Sequence, residues 1–454
     1  MGRNRQAAFD HVVVIGASIA GLCAARVLSH FSGQVSVFER DQLPDHAASR
    51  PAVPQDRHVH LLMARGAQEF ENLFPGLLAE MVSAGVPMLE NRPDCIHFGA
   101  AGHVLGTRHT LRDAFTAYVP SRPHLEWQIR RRVLEIPNVT IIRQDVAEPT
   151  FDVGRQRVTG VRLDETSTVA ADLVVDATGR GTRLPTWLRQ WGFAPPAEET
   201  VDVGIDYSTH RVRIPDGLFE EKVVVAGASR RQPLGLGMLY YEDGIWGLTT
   251  FGTARAQPPG DFAGMVALAD EILPAHVAAA LRQGEPVGEV ARHKYPTSRW
   301  RRYDKLERFP TGIIPLGDSV VSFNPTFGQG MTMTSIQAAN LRSVLESGAT
   351  EIAGPLAELT AKSTWPVWTM NAIGDLVLHN APGPQRWWYR PVGGLFDQFL
   401  GAAETDPVLA EWFLRRFSLL DSLYMVPSAR LVGRTIGHNM RLFLRDRRAT
   451  NANA

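Results

Sequence analysis

Cysteine is nearly absent from this chain of 454 residues, which contains only Cys23 and Cys95. Two cysteines are too few for an extracellular disulfide scaffold or for a Cys-rich zinc or iron–sulfur site. Neither sign of charge is in excess, because 47 lysines and arginines balance 47 aspartates and glutamates. The composition therefore favours neither a nucleic-acid-binding protein nor a disordered acidic one. The length allows two or more domains with large buried cores.

A long hydrophobic run is also missing. The apolar stretch HVVVIGASIAGLCAARVL (residues 11–28) follows Arg3 and Arg5, as the apolar part of a secretory signal would. Small polar residues interrupt this stretch and Arg26 closes it, and no apolar segment reaches the roughly 18 residues of a membrane-spanning helix. The next stretch, QVSVFER (residues 34–40), alternates like a β-strand, which a cleaved signal does not require. We therefore expect a cytoplasmic protein whose N-terminal segment is part of the fold.

The pattern of residues 11–40 is strand, turn, helix and second strand, as in a dinucleotide-binding unit. Gly16 permits the tight turn, Gly21 lets the helix pack closely on the strand, and Ser18 stands where the usual pattern has its middle glycine. Backbone N–H groups at the start of the helix would face a pyrophosphate, an anion that the helix dipole favours. Glu39 ends the second strand, where a carboxylate can accept hydrogen bonds from ribose hydroxyls. This pattern predicts a bound nucleotide, and a plain βαβ unit without a ligand is the alternative.

Two later segments identify the nucleotide. LVVDATGRGTRLP (residues 173–185) is a buried strand and a Gly-rich turn, and GIIPLGDSVVSFNPTFGQGMTMTSIQAANL (residues 312–341) is a strand, a loop and a helix. With the opening unit, they resemble the FAD fingerprint, the DG motif and the GD motif of the group A flavoprotein monooxygenases, the para-hydroxybenzoate-hydroxylase-like superfamily. The resemblance covers roughly residues 12–341 and implies FAD as cofactor and NAD(P)H as reductant.

This resemblance also implies the contacts of FAD. Asp318 would accept hydrogen bonds from the ribityl hydroxyls, with a turn or helix-capping aspartate as the alternative. Arg122 would contact the phosphates, and the helix that begins near Gly328 would face the N1–C2=O edge of the isoalloxazine. The predicted cofactor-binding residues are Gly16, Ser18, Gly21, Glu39, Arg40, Arg50, Arg122, Val146, Asp318, Gly328, Gly330 and Met331. No catalytic residue and no metal ligand is predicted.

Two clusters of arginine have less definite roles. Arg180 and Arg183 follow Asp176 in a motif that the resembling family uses for both FAD and NADPH, and its usual residues are partly replaced here. The run of three arginines at residues 130–132 lies on a predicted helix, where we expect a solvated face.

A narrower pattern follows the second strand. SRPAVPQDRHVHLLMARGAQEFENLFPG (residues 49–76) resembles the FAD-dependent epoxidases of polyether polyketide biosynthesis. In flavin hydroxylases this loop passes near the isoalloxazine, so Arg50, Gln55 and His58 are candidates for that contact, and an ordinary packed or surface histidine is the alternative. His58 and His60 do not suggest a metal pair, because no third ligand is evident.

The fold class that follows is α/β, or α+β overall. A Rossmann-like FAD-binding domain carries an inserted antiparallel-sheet substrate domain and a helical C-terminal region. Met238, Tyr240, Trp246 and Phe251 are candidates for a wall of the substrate chamber, or else fill a core. The expected ranges are 1–80, 111–185 and 291–345 for the FAD-binding domain, 81–110 and 186–290 for the substrate domain, and 346–454 for the C-terminal region.

The reaction that the resemblance implies is insertion of one oxygen atom from O2 through a flavin C4a-hydroperoxide. Epoxidation of an alkene in a lipophilic natural-product intermediate is the first expectation. Aromatic hydroxylation of a polyketide-type substrate and a geranylgeranyl-reductase-like reduction are alternatives. Halogenation is rejected, because the first lysine of the chain is Lys222 and the halogenase lysine lies early in the chain. Reduction by a partner reductase, and weak membrane attachment through the basic C-terminal helix, are further alternatives, and nucleic acid is not an expected partner.

Overall fold

The computed structural model describes residues 8–51, 53–108, 111–113, 115–422 and 428–452. The strands are β1 (Phe9–Ile15), β2 (Ser32–Glu39), β3 (Met88–Glu90), β4 (Ile96–Ala100), β5 (His103–Val104), β6 (Thr116–Tyr118), β7 (Val139–Arg143), β8 (Glu148–Asp152), β9 (Arg157–Arg162), β10 (Thr168–Ala170), β11 (Leu173–Asp176), β12 (Glu198–Arg213), β13 (Val223–Ala226), β14 (Leu234–Tyr240), β15 (Trp246–Gly252), β16 (Glu285–Arg301), β17 (Ile313–Pro315) and β18 (Val321–Ser322).

The α-helices are α1 (Ile19–Leu28), α2 (Ala64–Leu73), α3 (Leu77–Ser83), α4 (Arg122–Leu134), α5 (Leu184–Gln190), α6 (Phe262–Ile272), α7 (Ala275–Leu281), α8 (Gly330–Glu346), α9 (Ala353–Ile373), α10 (Tyr389–Ala403), α11 (Pro407–Phe417) and α12 (Ala429–Ala452). A π-helical turn, Gly374–Leu378, follows α9. No described helix is both long enough and apolar enough to span a bilayer.

The chain divides into two compact units. Unit 1 comprises residues 1–86, 120–200 and 298–368, and unit 2 comprises residues 87–119, 201–297 and 369–454. Each unit is therefore assembled from three separate stretches of the chain.

Unit 1 contains a parallel sheet whose strands lie in the order β17-β11-β1-β2-β7 among the described residues. Val12, Val13 and Val14 of β1 are completely buried, because parallel strands covered on both faces need continuous apolar runs. Strand β1 ends at Ile15, opposite Asp176 of β11. The carboxyl ends of these strands therefore meet at one edge, where a doubly wound sheet binds its ligand.

Unit 2 contains a mostly antiparallel sheet with the order β16-β12-β15-β14-β13-β4-β5. One face packs on α6 and α7, and Met238 and Trp246 are buried in that core with Tyr240 packed against it. These three predicted wall residues therefore fill a core. Phe251 of β15 pairs with Tyr207 of β12. Because successive side chains of a strand point to opposite faces, Phe251 lies on the face of the sheet away from α6 and α7.

The expected fold class is confirmed: a Rossmann-like sheet, an antiparallel sheet and C-terminal helices are all present. Two tryptophans in the second half of the chain differ in their environments. Trp368 is buried against Trp300 in unit 1, whereas Trp387 of unit 2 is 88% exposed.

Candidate cofactor site

The turn after β1 accepts only glycine at two positions. Gly16 has φ of +101°, and a Cβ added there would lie 2.7 Å from the carbonyl oxygen of Ala177. A Cβ on Gly21 would lie 1.8 Å from the carbonyl oxygen of Gly16. The backbone of α1 therefore lies directly against the turn, and its N-terminal N–H groups lie at the carboxyl end of β1.

Glu39 connects the end of β2 to this turn. Its Oε2 accepts a hydrogen bond of 2.9 Å from the N–H of Ala17, and its Oε1 accepts one of 3.1 Å from the N–H of Asp41. Nη1 of Arg50 lies 3.1 Å from the same Oε2. Glu39 is only 6% exposed, so the carboxylate holds the turn and the loop after β2 in one arrangement.

A buried carboxylate that the sequence did not single out joins several predicted residues. Glu126, on α4, accepts a hydrogen bond of 2.8 Å from Nε of Arg50 and one of 3.2 Å from Oγ of Ser18. Nη2 of Arg122 lies 3.4 Å from its Oε2. Burial alone would raise the pKa of Glu126, but the charges of Arg122 and Arg50 outweigh it and lower this pKa. Its position four residues after Arg122 on a helix is the one sequence signal that could have indicated it.

Ser18 has a partner that explains why a side chain stands at the middle glycine position. Its hydroxyl accepts a hydrogen bond of 3.1 Å from Nη2 of Arg122 and donates to Glu126. The serine therefore helps to hold the arginine that is predicted to contact the phosphates.

The arginines of this cluster fit a phosphate ligand. Nε of Arg122 and Nη2 of Arg50 are buried and have no hydrogen-bond partner among the described residues. Buried donors of this kind are costly unless an acceptor is supplied, and phosphate oxygens are the acceptors that a guanidinium pairs with most readily. Arg50 also contacts Glu39, so it lies at the end of the site predicted for the adenosine ribose and not where its candidate contact with the isoalloxazine would require it.

The solvated face expected for residues 130–132 is wrong for Arg130. This side chain is buried, donates to the carbonyl oxygen of Pro44 at 2.5 Å, and stacks over Trp127 with its guanidinium carbon 5.2 Å from the ring centroid. Arg131 and Arg132 both pair with Glu80 of α3. The error arose because the loop after β2, which includes Pro44, packs on Arg130, and helix periodicity alone does not reveal this packing.

Asp176 acts within its own turn. Its Oδ1 accepts from the N–H of Thr178 at 3.1 Å and from the hydroxyl of the same residue at 2.5 Å, and Oδ2 accepts from the hydroxyl of Thr182. Asp176 is completely buried. Its carboxylate therefore shapes the Gly-rich turn. Arg183 is exposed and lies over Trp187.

The third segment places Asp318 directly after β17. Gly317 has φ of +70°, and its N–H donates to Oε1 of Gln337 on α8 at 2.7 Å. Burial raises the pKa of Asp318, and the charges of Arg122 and Arg180 oppose that shift. Asp318 and Arg122 therefore lie within electrostatic range, although about 200 residues separate them in the sequence.

Helix α8 begins at the glycines where the sequence predicts it. Gly328 has φ of +69°, α8 begins at Gly330, and a Cβ added to Gly330 would meet no atom within 4 Å. Met331 is buried. The start of this helix therefore has open space in front of one backbone position, as a close ligand requires.

Other residues singled out in the sequence form their described hydrogen bonds and ion pairs outside the Glu126 cluster. Arg40 is exposed, and Val146 is half-buried with its N–H bonded to Oδ1 of Asp145 at 3.0 Å. Nδ1 of His60 lies 2.8 Å from the carbonyl oxygen of His58. No group of three or more His, Cys, Asp or Glu residues in the described ranges could hold a metal ion.

Two family models match parts of the chain. The pyridine nucleotide-disulphide oxidoreductase model matches residues 10–230, which include the glycine turn, Glu39 and Arg122. The model called Mycobacterium Rv3254 C-terminal domain matches residues 383–449.

Two solved enzyme structures share this fold. The flavin-dependent brominase Bmp2 superposes with a TM-score of 0.64 at 15% identity, over 96% of this chain and 100% of that one. The p-nitrophenol 4-monooxygenase PnpA of Pseudomonas putida DLL-E4 superposes with a TM-score of 0.59 at 15% identity, over 91% and 99% of the two chains. At an identity this low, the structural similarity establishes the fold alone.

Two relatives complete the comparison. The kynurenine 3-monooxygenase of Salinispora arenicola is 27% identical over 354 residues, 73% of this chain and 70% of the relative. Fold, cofactor segments and relatives agree with the predicted class, and the chain is an oxidoreductase of the FAD-dependent monooxygenase class. Protein Rv3254 of Mycobacterium tuberculosis is 67% identical over 453 residues, 97% of this chain and 96% of that protein. The chain belongs to the family of Protein Rv3254.

Proposed function

We propose that this enzyme transfers one oxygen atom from O2 to an alkene of a lipophilic natural-product intermediate, with FAD as cofactor and NAD(P)H as reductant. The observation that carries the flavin assignment is the pair of buried guanidinium donors, Nε of Arg122 and Nη2 of Arg50, beside the glycine turn and Glu39. The epoxidase-like stretch at residues 49–76 supports the choice of an alkene. The FAD supplies the oxygen chemistry, and the residues of the chain bind and orient it.

Isotope labelling tests the reaction. The FAD-loaded enzyme is incubated with NADPH, a panel of lipophilic polyenes and heavy-isotope dioxygen, and the products are analysed by mass. We expect one labelled oxygen per product molecule, in an epoxide or its rearrangement product. Label that comes only from water would contradict the proposal. A product heavier by two hydrogens, with no oxygen gained, would instead support a geranylgeranyl-reductase-like enzyme.

A buried polar cluster in unit 2 favours aromatic hydroxylation as the second candidate. A phenol hydroxylase benefits from a group that accepts the phenolic proton. Asp375 is 1% exposed in the π-helical turn, and its Oδ1 lies 3.7 Å from Nδ1 of His379. Burial, with the nearby Tyr295 and Asp375, raises the pKa of Tyr207. π-Helical turns occur frequently at functional sites, and Tyr207 lies on the sheet face opposite α6 and α7.

The two candidates differ in their dependence on this cluster. If the substrate is a phenol, Asp375→Asn lowers kcat and shifts the pH profile, and the heavy oxygen appears in a new phenolic hydroxyl. If the substrate is an alkene, the same substitution leaves the pH profile unchanged. Asp397→Asn is the matched control, because Asp397 is a more exposed aspartate in the same unit.

A further inference from the structure

Helix α12 carries an exposed apolar ridge. Val432, Ile436, Met440 and Leu444 follow each other at intervals of four residues and are 44%, 54%, 60% and 52% exposed. Residues four apart lie on neighbouring turns of one helix face, so these side chains form one continuous strip. Contiguous apolar surface of this kind in a folded protein marks an interaction site.

The opposite side of α12 is attached to unit 2. Nε of Arg434 lies 2.7 Å from Oδ2 of Asp406, and Nη2 of Arg434 lies 2.9 Å from Oδ1 of Asp406. Nδ1 of His438 lies 3.2 Å from the hydroxyl oxygen of Thr405. Arg434 and His438 are one turn apart on the inner side. These contacts hold the helix in an orientation that leaves the ridge at the surface.

The charge of this segment has one sign. Residues 428–454 contain six arginines and a single aspartate, Asp446. Arg434 is neutralised by Asp406, whereas Arg430 and Arg441 are exposed. Arg441 borders the ridge, because it lies three residues before Leu444 and is therefore its neighbour on the helix surface. Arg430 lies about 20° from Arg441 around the axis, since eleven residues make almost three full turns, and both are on the side of the helix that carries Arg434. The ridge therefore has an exposed arginine beside its C-terminal end.

We propose that α12 docks this protein on an anionic lipid bilayer, with the ridge inserted at the level of the headgroups and the arginines on the lipid phosphates. A helix with an apolar strip and a polar face rich in arginine is the form that binds in the plane of such a surface. A second copy of the chain fits less well, because two segments of the same net positive charge repel each other. A strip with a constant spacing of four also winds around the helix and does not form the straight seam of a coiled coil.

Vesicle sedimentation tests the docking directly and needs no turnover. The full-length, FAD-loaded protein is mixed at 0.1 M salt with phosphatidylcholine vesicles, with or without 30% phosphatidylglycerol. We expect binding to the anionic vesicles, with at least tenfold less binding to the neutral ones. Ile436→Gln combined with Met440→Gln should lower the binding at least tenfold. Val153→Gln changes an aliphatic side chain that is 74% exposed in unit 1 and should leave the binding unchanged.

Three results would overturn the proposal. The first is absence of binding by the wild type to anionic vesicles. The second is binding that Arg441→Gln weakens and that the ridge variant does not, since this would be charge attraction without insertion. The third is a wild-type dimer in solution that the ridge variant converts to a monomer, since the ridge would then be covered by a second copy. None of these results depends on which substrate the enzyme oxidises.

Discussion

Replacing Glu126 with glutamine removes one charge from a closed buried network. Glu126 is 5% exposed, and it is the carboxylate shared by Arg50 and Arg122, with Arg130 at 3.9 Å. Glutamine keeps the size of the side chain and can still accept hydrogen bonds. The variant therefore tests charge rather than packing.

The size of the effect follows from burial. Removing one partner of a buried ion pair costs about 3–5 kcal/mol, because the remaining charge stays desolvated. Unit 1 has roughly 240 residues, for which the entropy of unfolding near 60 °C is about 0.5 kcal/mol/K. We therefore expect the Tm of the FAD-free protein to fall by about 6–10 °C. With FAD bound, the fall should be smaller, because the phosphates supply negative charge to Arg122.

Differential scanning calorimetry with and without FAD measures both effects. Glu80→Gln is the matched control, because Glu80 also pairs with two arginines of α4 but its side chain is 37% exposed. Ion pairs that are this exposed contribute less than about 1 kcal/mol to the free energy of unfolding. Equal losses of Tm in the two variants, or a loss for Glu126→Gln that FAD does not reduce, would refute the assignment of this cluster to the phosphates.

Three further predictions follow from the same residues. Asp318→Ala should weaken FAD binding by about 1.5–3 kcal/mol through loss of a charge-assisted acceptor, measured by flavin fluorescence titration, while the exposed Asp45→Ala should bind FAD normally. Ser18→Gly should raise the Kd of FAD about two- to tenfold by releasing Arg122, and tighter binding would show that the serine only obstructs the phosphate. Burial, assisted by Arg122, lowers the pKa of His60 from 6.5 to about 3, so the stability contributed by its neutral form is present above pH 6.5 and lost as the pH falls. Chemical denaturation should therefore show that the free energy of unfolding is about 1 kcal/mol lower at pH 5.5 than at pH 7. We expect this difference to be absent in His60→Gln and to remain in His46→Gln, since His46 is exposed.

The cofactor class could be predicted from the sequence because its signals are local. The turn after β1 needs glycine at Gly16 because φ there is +101°, and at Gly21 because a Cβ would clash with the carbonyl oxygen of Gly16, five residues earlier. Both requirements lie within the turn itself. The strands of the parallel sheet are apolar throughout for the same local reason, namely burial on both faces. FAD as cofactor and the α/β fold with its antiparallel sheet are both confirmed.

The arrangement of charges around the expected phosphates was decided by the tertiary structure alone. The contact of Arg50 with Glu126 spans 76 residues of sequence, and that of Ser18 with Glu126 spans 108. The spacing of four residues between Arg122, Glu126 and Arg130 on α4 indicates that they can pair, but it does not show that they are buried, because their burial comes from segments that pack on the helix from elsewhere in the chain. For the same reason, Met238 and Trp246 could be placed on a strand from the sequence, but only the positions of α6 and α7 show which face of the sheet is core.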